Sequence, residues 1–306
     1  MPSSRRALLT SAGAALTGLA GCLDFLGGTD RPSSTATPSP TPTTPAIVDT
    51  ALGNAIALDT DGDGRGDGLA VIVSQLTAAH AVRYLTAPDA LGVADAGGEQ
   101  FVLVHVAARG DGTPPAPEGF SLVADGTAYD AGLEAVGPAR VDAPVSGRPY
   151  GGPDRRGYLG FQVPAPLEAD TVAIHLAETG RWVVPDSAVA DLRAPPPTFE
   201  TTLTVPDGVA ADEAIPVRLD VTNTGAGVGT FYGALNHQGP LHAADPFTFS
   251  LPPGESTTRE LSVGYYRGSD SPPERVQFGV VGPGLSESFA VTVEGGGTTT
   301  TTGTDA

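Results

Sequence analysis

The sharpest chemical pattern in the chain is nine residues long: Asp59-Thr60-Asp61-Gly62-Asp63-Gly64-Arg65-Gly66-Asp67. Counting from Asp59, carboxylates stand at positions one, three, five and nine, with glycine at six. Alternate residues of a tight turn point toward one centre, so this spacing matches the oxygen-ligand set of a calcium loop. The glutamate that closes an EF-hand at position twelve is missing, because that residue is Ala70. The flanks also read as strands, which excludes the EF-hand itself. Two readings remain: a hairpin that binds calcium through Asp59, Asp61, Asp63 and Asp67, or an acidic, glycine-rich turn joining two strands.

The other candidates are weaker. His237, His242 and Asp245 fall within nine residues that read as a loop, and two imidazoles five apart could share a metal if that loop folded back. No third strong ligand stands at metal-site spacing, so polar loop histidines are the better reading. His105 and His175 lie within apolar strands as core or edge side chains, and His80 sits in a turn. Arg65-Gly66-Asp67 and Arg109-Gly110-Asp111 spell an integrin tripeptide, a match short enough to recur by chance. Gly225-Ala226-Gly227-Val228-Gly229 lacks the helix that a phosphate loop needs and reads as a strand connection. Trp182, Tyr265 and Tyr266 stand in strand context, where aromatics pack in cores or across strands. There is no Gly-x-Ser-x-Gly elbow, HExxH pair or Ser/His/Asp order, so the expectation is a protein that is not an enzyme.

The elements that must position these residues are strands. The chain has 41 glycines and 29 prolines, recurring at short intervals as sandwich turns require. Expected strands in a first domain, 47–193, are 47–58, 69–76, 81–86, 100–109, 120–129, 158–163, 171–177 and 181–184. In Phe101-Val102-Leu103-Val104-His105-Val106 both faces are apolar, the mark of a central strand. Segments 113–118 and 136–153 read as Pro/Gly-rich loops that leave the core uninterrupted. Ala194-Pro195-Pro196-Pro197 reads as a stiff linker. A second domain, 198–294, offers seven strands at 198–205, 215–223, 229–237, 247–251, 257–265, 275–281 and 286–293, the count of an immunoglobulin-like sandwich. The fold class is all-β, two tandem sandwiches.

Two resemblances follow from these residues. Val-x-Leu-x-Val-Thr-Asn-Thr-Gly over 217–225, followed by Leu251-Pro252-Pro253-Gly254-Glu255-Ser256, resembles the cell-adhesion-related domain found in bacteria and archaea. That resemblance covers roughly 198–294 and implies an Ig-like extracellular module acting in adhesion or as a spacer, with no catalytic residues. The first domain is similar to telokin-like immunoglobulin-type domains of surface lipoproteins. The match rests on Glu99-Gln100-Phe101-Val102-Leu103-Val104-His105-Val106, on Phe120-Ser121-Leu122 with Asp125-Gly126 and Tyr129, and on Leu159-Gly160-Phe161-Gln162-Val163-Pro164. It departs from that pattern at Arg109-Gly110-Asp111-Gly112, where such domains carry an Asn-containing turn.

The first residues supply an address. Arg5-Arg6 precedes an apolar stretch from Ala7 to Ala20, too short to span a bilayer, and the pair points to twin-arginine export. Leu19-Ala20-Gly21-Cys22 resembles the lipobox of prokaryotic lipoproteins, which implies cleavage before Cys22 and a lipid on its sulfur. Cys22 is the only cysteine, so disulfides are excluded. Residues 22–46, rich in Pro, Ser and Thr, read as an extended stalk, and 295–306 as a disordered Gly/Thr tail. Without residues 1–21 the chain carries fourteen arginines, no lysine and 35 acidic side chains, a net −21. Such a surface repels nucleic acid and stays soluble where salt screens it. With the export signal, this composition resembles the proteins of extremely halophilic archaea. The expected protein is lipid-anchored on the extracellular face of the cell membrane and displays Ig-like modules to an envelope or extracellular protein. The alternatives are a surface lipoprotein that binds calcium or another ligand, and an accessory subunit of an envelope complex.

Overall fold

The computed structural model describes residues 47–58, 68–151, 154–177, 179–211, 213–238, 242–265 and 273–294. All of them fall within one compact unit, Pro45–Ala306. The fold is all-β. The strands are β1 (Val48–Ala51), β2 (Ala55–Ala57), β3 (Ala70–Ala79), β4 (Ala81–Ala87), β5 (Ala90–Asp95), β6 (Glu99–Arg109), β7 (Phe120–Ala124), β8 (Thr127–Asp130), β9 (Val141–Ala143), β10 (Arg156–Pro164), β11 (Val172–Leu176) and β12 (Gly180–Val183). The α-helix α1 (Asp186–Leu192) precedes β13 (Phe199–Thr204), β14 (Gly208–Ala210), β15 (Ile215–Asn223), β16 (Gly229–Gln238), β17 (Ala243–Leu251), β18 (Ser256–Val263), β19 (Arg275–Gly282) and β20 (Leu285–Glu294).

The first half is a stack of three sheets. Sheet β1-β12-β11-β7-β8 faces sheet β10-β6-β3-β2, and a third sheet, β5-β4-β9, covers the other face of the second. Side chains alternate across a strand, so a strand covered on both faces must be apolar at every position. Central β6 meets that demand: Val102, Val104 and Val106 enter the main core with Trp182, Phe120 and Phe161, while Phe101 and Leu103 enter a second core. Each such fully buried side chain contributes roughly 1.5–3 kcal/mol. Segment 136–153, which the sequence presents as a loop, contains β9 and supplies Val136, Val141 and Val145 to that second core. Its apolar residues are too few and too interrupted by proline and glycine to show a period. Strand β5 and helix α1 are likewise absent from the sequence reading. The expected strand 47–58 is two strands broken at Gly53, and 120–129 is a hairpin turning on Asp125-Gly126, whose φ values of 45° and 85° suit a two-residue turn.

The second half is a two-sheet sandwich, β13-β15-β18 over β14-β20-β19-β16-β17, one short strand more than expected. In β15 the alternation is complete: Ile215, Val217, Leu219 and Val221 are buried, with Pro216 and Arg218 outside. Its last residue, Asn223, is fully buried and joins three segments. Its Oδ1 accepts from the Thr198 and Gly225 N–H groups, and its Nδ2 donates to the Gly227 and Leu251 carbonyls. The Val-Thr-Asn-Thr-Gly motif is therefore a polar corner inside the sandwich. The expected loop around His237 and Asp245 is instead a β-hairpin, β16–β17, which pairs from Gly229↔Leu251 to His237↔Ala243.

Candidate functional site

The residues of the calcium, export and lipidation candidates lie outside the described residues: Arg5, Arg6, Cys22, Asp59, Asp61, Asp63 and Asp67. The same holds for the stalk 22–46, the tail 295–306, and Tyr266. What the structure does describe is the frame of the acidic segment. β2 and β3 pair antiparallel with Ala57 opposite Ala70, and the Leu58 N–H donates to the Leu69 carbonyl at 2.9 Å. The flanks of Asp59–Asp67 are therefore neighbouring strands, as both readings of that segment require. Among the described residues, no group of three or more His, Cys, Asp or Glu is placed to hold a metal ion.

His237 and Asp245 do meet, at 2.8 Å between Nε2 and Oδ2, because they stand diagonally across the β16–β17 hairpin. His242 is exposed beside them at the start of β17. The carboxyl is largely exposed, so the pair is a surface hydrogen bond across the hairpin worth at most about 1 kcal/mol. His105 and His175 are half-buried in their strands. Trp182 is fully buried, stacked on Phe120, and its indole N–H donates to the Asn54 carbonyl. The Tyr265 hydroxyl donates to the Ala210 and Ala211 carbonyls. Trp182 is structural, as its strand context implied, whereas Tyr265 lies beyond the end of β18, which stops at Val263 rather than at the expected residue 265. The Arg109-Gly110-Asp111 turn is held by Arg155, whose guanidinium donates to the Gly110 and Gly112 carbonyls.

The constellation that sequence reasoning missed lies where the two halves meet. On β4, Val82 and Tyr84 turn toward the second core, which leaves Arg83 on the opposite face of the same strand. That face meets β16 and β17. Arg83 is only 7% exposed. Its Nη1 donates to the Gly233 carbonyl at 3.0 Å, the Phe247 carbonyl at 2.9 Å and Thr248 Oγ1 at 3.2 Å, while its Nε donates to Asp142 Oδ2 at 2.7 Å. Beside it, the Asn236 amide makes a two-way pair with the Leu91 backbone, accepting its N–H at 2.9 Å and donating to its carbonyl at 2.8 Å. The only signal in the sequence is an arginine inside the apolar run Ala81-Val82-Arg83-Tyr84-Leu85, which a solvated outer face explains equally well.

Two clefts of about 360 and 390 Å³ flank this joint and share His80, Pro197 and Thr230. Gln100, Asp191 and Tyr232 line the first, and Asp95 and Phe199 the second. Burial pushes the His80 imidazole below its ordinary value, against the opposing pull of the Glu99 carbonyl and Asp95. Burial likewise pushes the Tyr232 phenol up. The Gln100 amide is buried and donates to the Pro164 and Leu192 carbonyls, and the Thr230 hydroxyl pairs with Ser250, so these groups are engaged within the fold.

Fold and joint together define an all-β protein of packed sandwich modules. No family model matches the sequence, and no curated protein does. Among solved structures, the chain is similar to the β-glucosidase from Listeria innocua in its glucose complex (TM-score 0.27, 16% identity) and in its isofagomine complex (TM-score 0.25, 15% identity). Each match covers 32% of this chain and 16% of the other. A likeness of that extent carries no argument about activity.

Proposed function

We propose that this is a lipid-anchored protein of the cell surface, not an enzyme, which displays two Ig-like sandwiches for adhesion or for contact with an envelope or extracellular protein. The observation that carries the reading is the order of the parts: Arg5-Arg6, then Leu19-Ala20-Gly21-Cys22, then a Pro/Ser/Thr-rich segment, then a compact β unit from Pro45 onward. A lipid on Cys22 holds the chain at the membrane, and the 25 residues before β1 keep the sandwiches clear of it. Loops on a rigid sheet scaffold then supply the contact surface. The resemblance of 198–294 to the cell-adhesion-related domain supports the same reading. The test is crosslinking and affinity purification from intact envelopes at native salt. Recovery of a specific protein partner is expected; a chain recovered alone, at every salt concentration, counts against display to a partner.

A second reading rests on the paired β2 and β3 flanks, which bring the ends of Asp59–Asp67 together. Capture of calcium there predicts heat and a thermal shift on titration with calcium chloride. No heat at either low or high salt removes it.

A further inference from the structure

We propose that the third sheet, β5-β4-β9, is a clasp that makes the two sandwiches one rigid body in solution, with Arg83 and Asn236 as its fastening residues. Two modules joined by a short linker ordinarily move relative to one another unless their interface is specific and well buried. Here three independent fastenings meet.

The first is Arg83. A guanidinium withdrawn from water needs partners, and its Nε is met by Asp142 from its own half while its Nη1 is met by two carbonyls and a hydroxyl from the other. Gly233 and Phe247 are cross-strand partners, so one charge grips both strands of the β16–β17 hairpin. Swinging the halves apart strips that charge of its partners in the second half. The second is Asn236, whose amide copies the donor and acceptor of a neighbouring strand and so extends backbone pairing from β5 across the joint.

The third is the linker itself. The Gly227 N–H donates to the Pro196 carbonyl at 3.2 Å, and the Thr224 N–H donates to the Thr198 carbonyl at 2.7 Å. At Gly227 a Cβ would lie 1.7 Å from the Pro195 carbonyl oxygen, so only glycine permits this approach. Residues 194–197 are thus held against the second sandwich. The inference stands whether or not Cys22 carries a lipid. For a displayed protein it means that the far loops keep a constant orientation relative to the first strand.

Because Cys22 is the only cysteine, a Cys22→Ser background accepts two spin labels cleanly, at Thr127→Cys on β8 and Ser288→Cys on β20, both exposed positions. Pulsed EPR should show a single narrow distance distribution. Adding Arg83→Met with Asn236→Ala should broaden it at least twofold while Trp182 fluorescence and far-UV CD stay unchanged. A broad distribution without those two changes overturns the clasp, as does an equally narrow one with them in a folded protein. If the double variant fails to fold, calorimetry of the unaltered protein decides. One transition for the whole chain is expected, and two separate transitions overturn the proposal.

Discussion

Asn223 and His80 show how much a single polar side chain can control. Asn223→Ala leaves two N–H groups and two carbonyls without their partner inside a dry corner, which predicts a loss of about 2–4 kcal/mol in denaturant unfolding. Asn223→Asp fares no better, since the two donors to the Gly227 and Leu251 carbonyls become an acceptor. His80 sets a pH dependence. Its folded pKa is depressed by burial, so between the folded and the ordinary value of 6.5 the unfolded chain binds the extra proton. Stability from this group is complete above that ordinary value and declines as pH falls below it. Melting temperatures between about pH 7.5 and 5.5 should therefore fall, and less steeply in His80→Gln. An identical slope in the two proteins refutes the assignment. At the alkaline end the sign reverses: burial pushes the Tyr158 phenol up to about 12, so its contribution is lost as pH rises past 10. The Asn223 corner was legible as a turn in Val-Thr-Asn-Thr-Gly. Its role as a four-bond hub was not, because the partners are up to 28 residues away in the chain.

Among the elements, strand periodicity predicted the long strands well and the short ones poorly. β6, β10 and β15 were readable from apolar runs or alternation, since each faces a core along most of its length. β5 and β9 are three to six residues with small side chains, and their strand character comes from pairing with β4 rather than from local preference. The β16–β17 hairpin was half readable, because the glycine and proline at 239–240 masked the return strand. The linker gives the prediction for this scale. Gly227→Ala puts a methyl group where the Pro195 carbonyl oxygen lies and should cost roughly 1–3 kcal/mol, read as a lower urea midpoint with an unchanged slope. An unchanged midpoint shows that the linker yields freely.

For the whole molecule, charge is the governing fact, and the proposed anchor is open to a direct test. With 35 acidic side chains and no disulfide, the fold rests on hydrophobic cores held against self-repulsion. Its melting temperature should rise as salt increases from about 0.1 to 2 M, where the screening length shrinks to a few ångströms; a flat profile contradicts this. Cys22→Ser should move the protein from the membrane fraction to the medium, and a variant that stays membrane-bound refutes the anchor. Composition and periodicity alone determined the all-β class and the acidic charge, because these depend on residues counted or spaced locally. Only the tertiary structure decided that the first half has three sheet layers, that His237 meets Asp245 across a hairpin, and that Arg83 is buried in a joint. The reason is physical: which face of β4 an arginine occupies is written in the chain, but what lies opposite that face comes from strands 150 or more residues away.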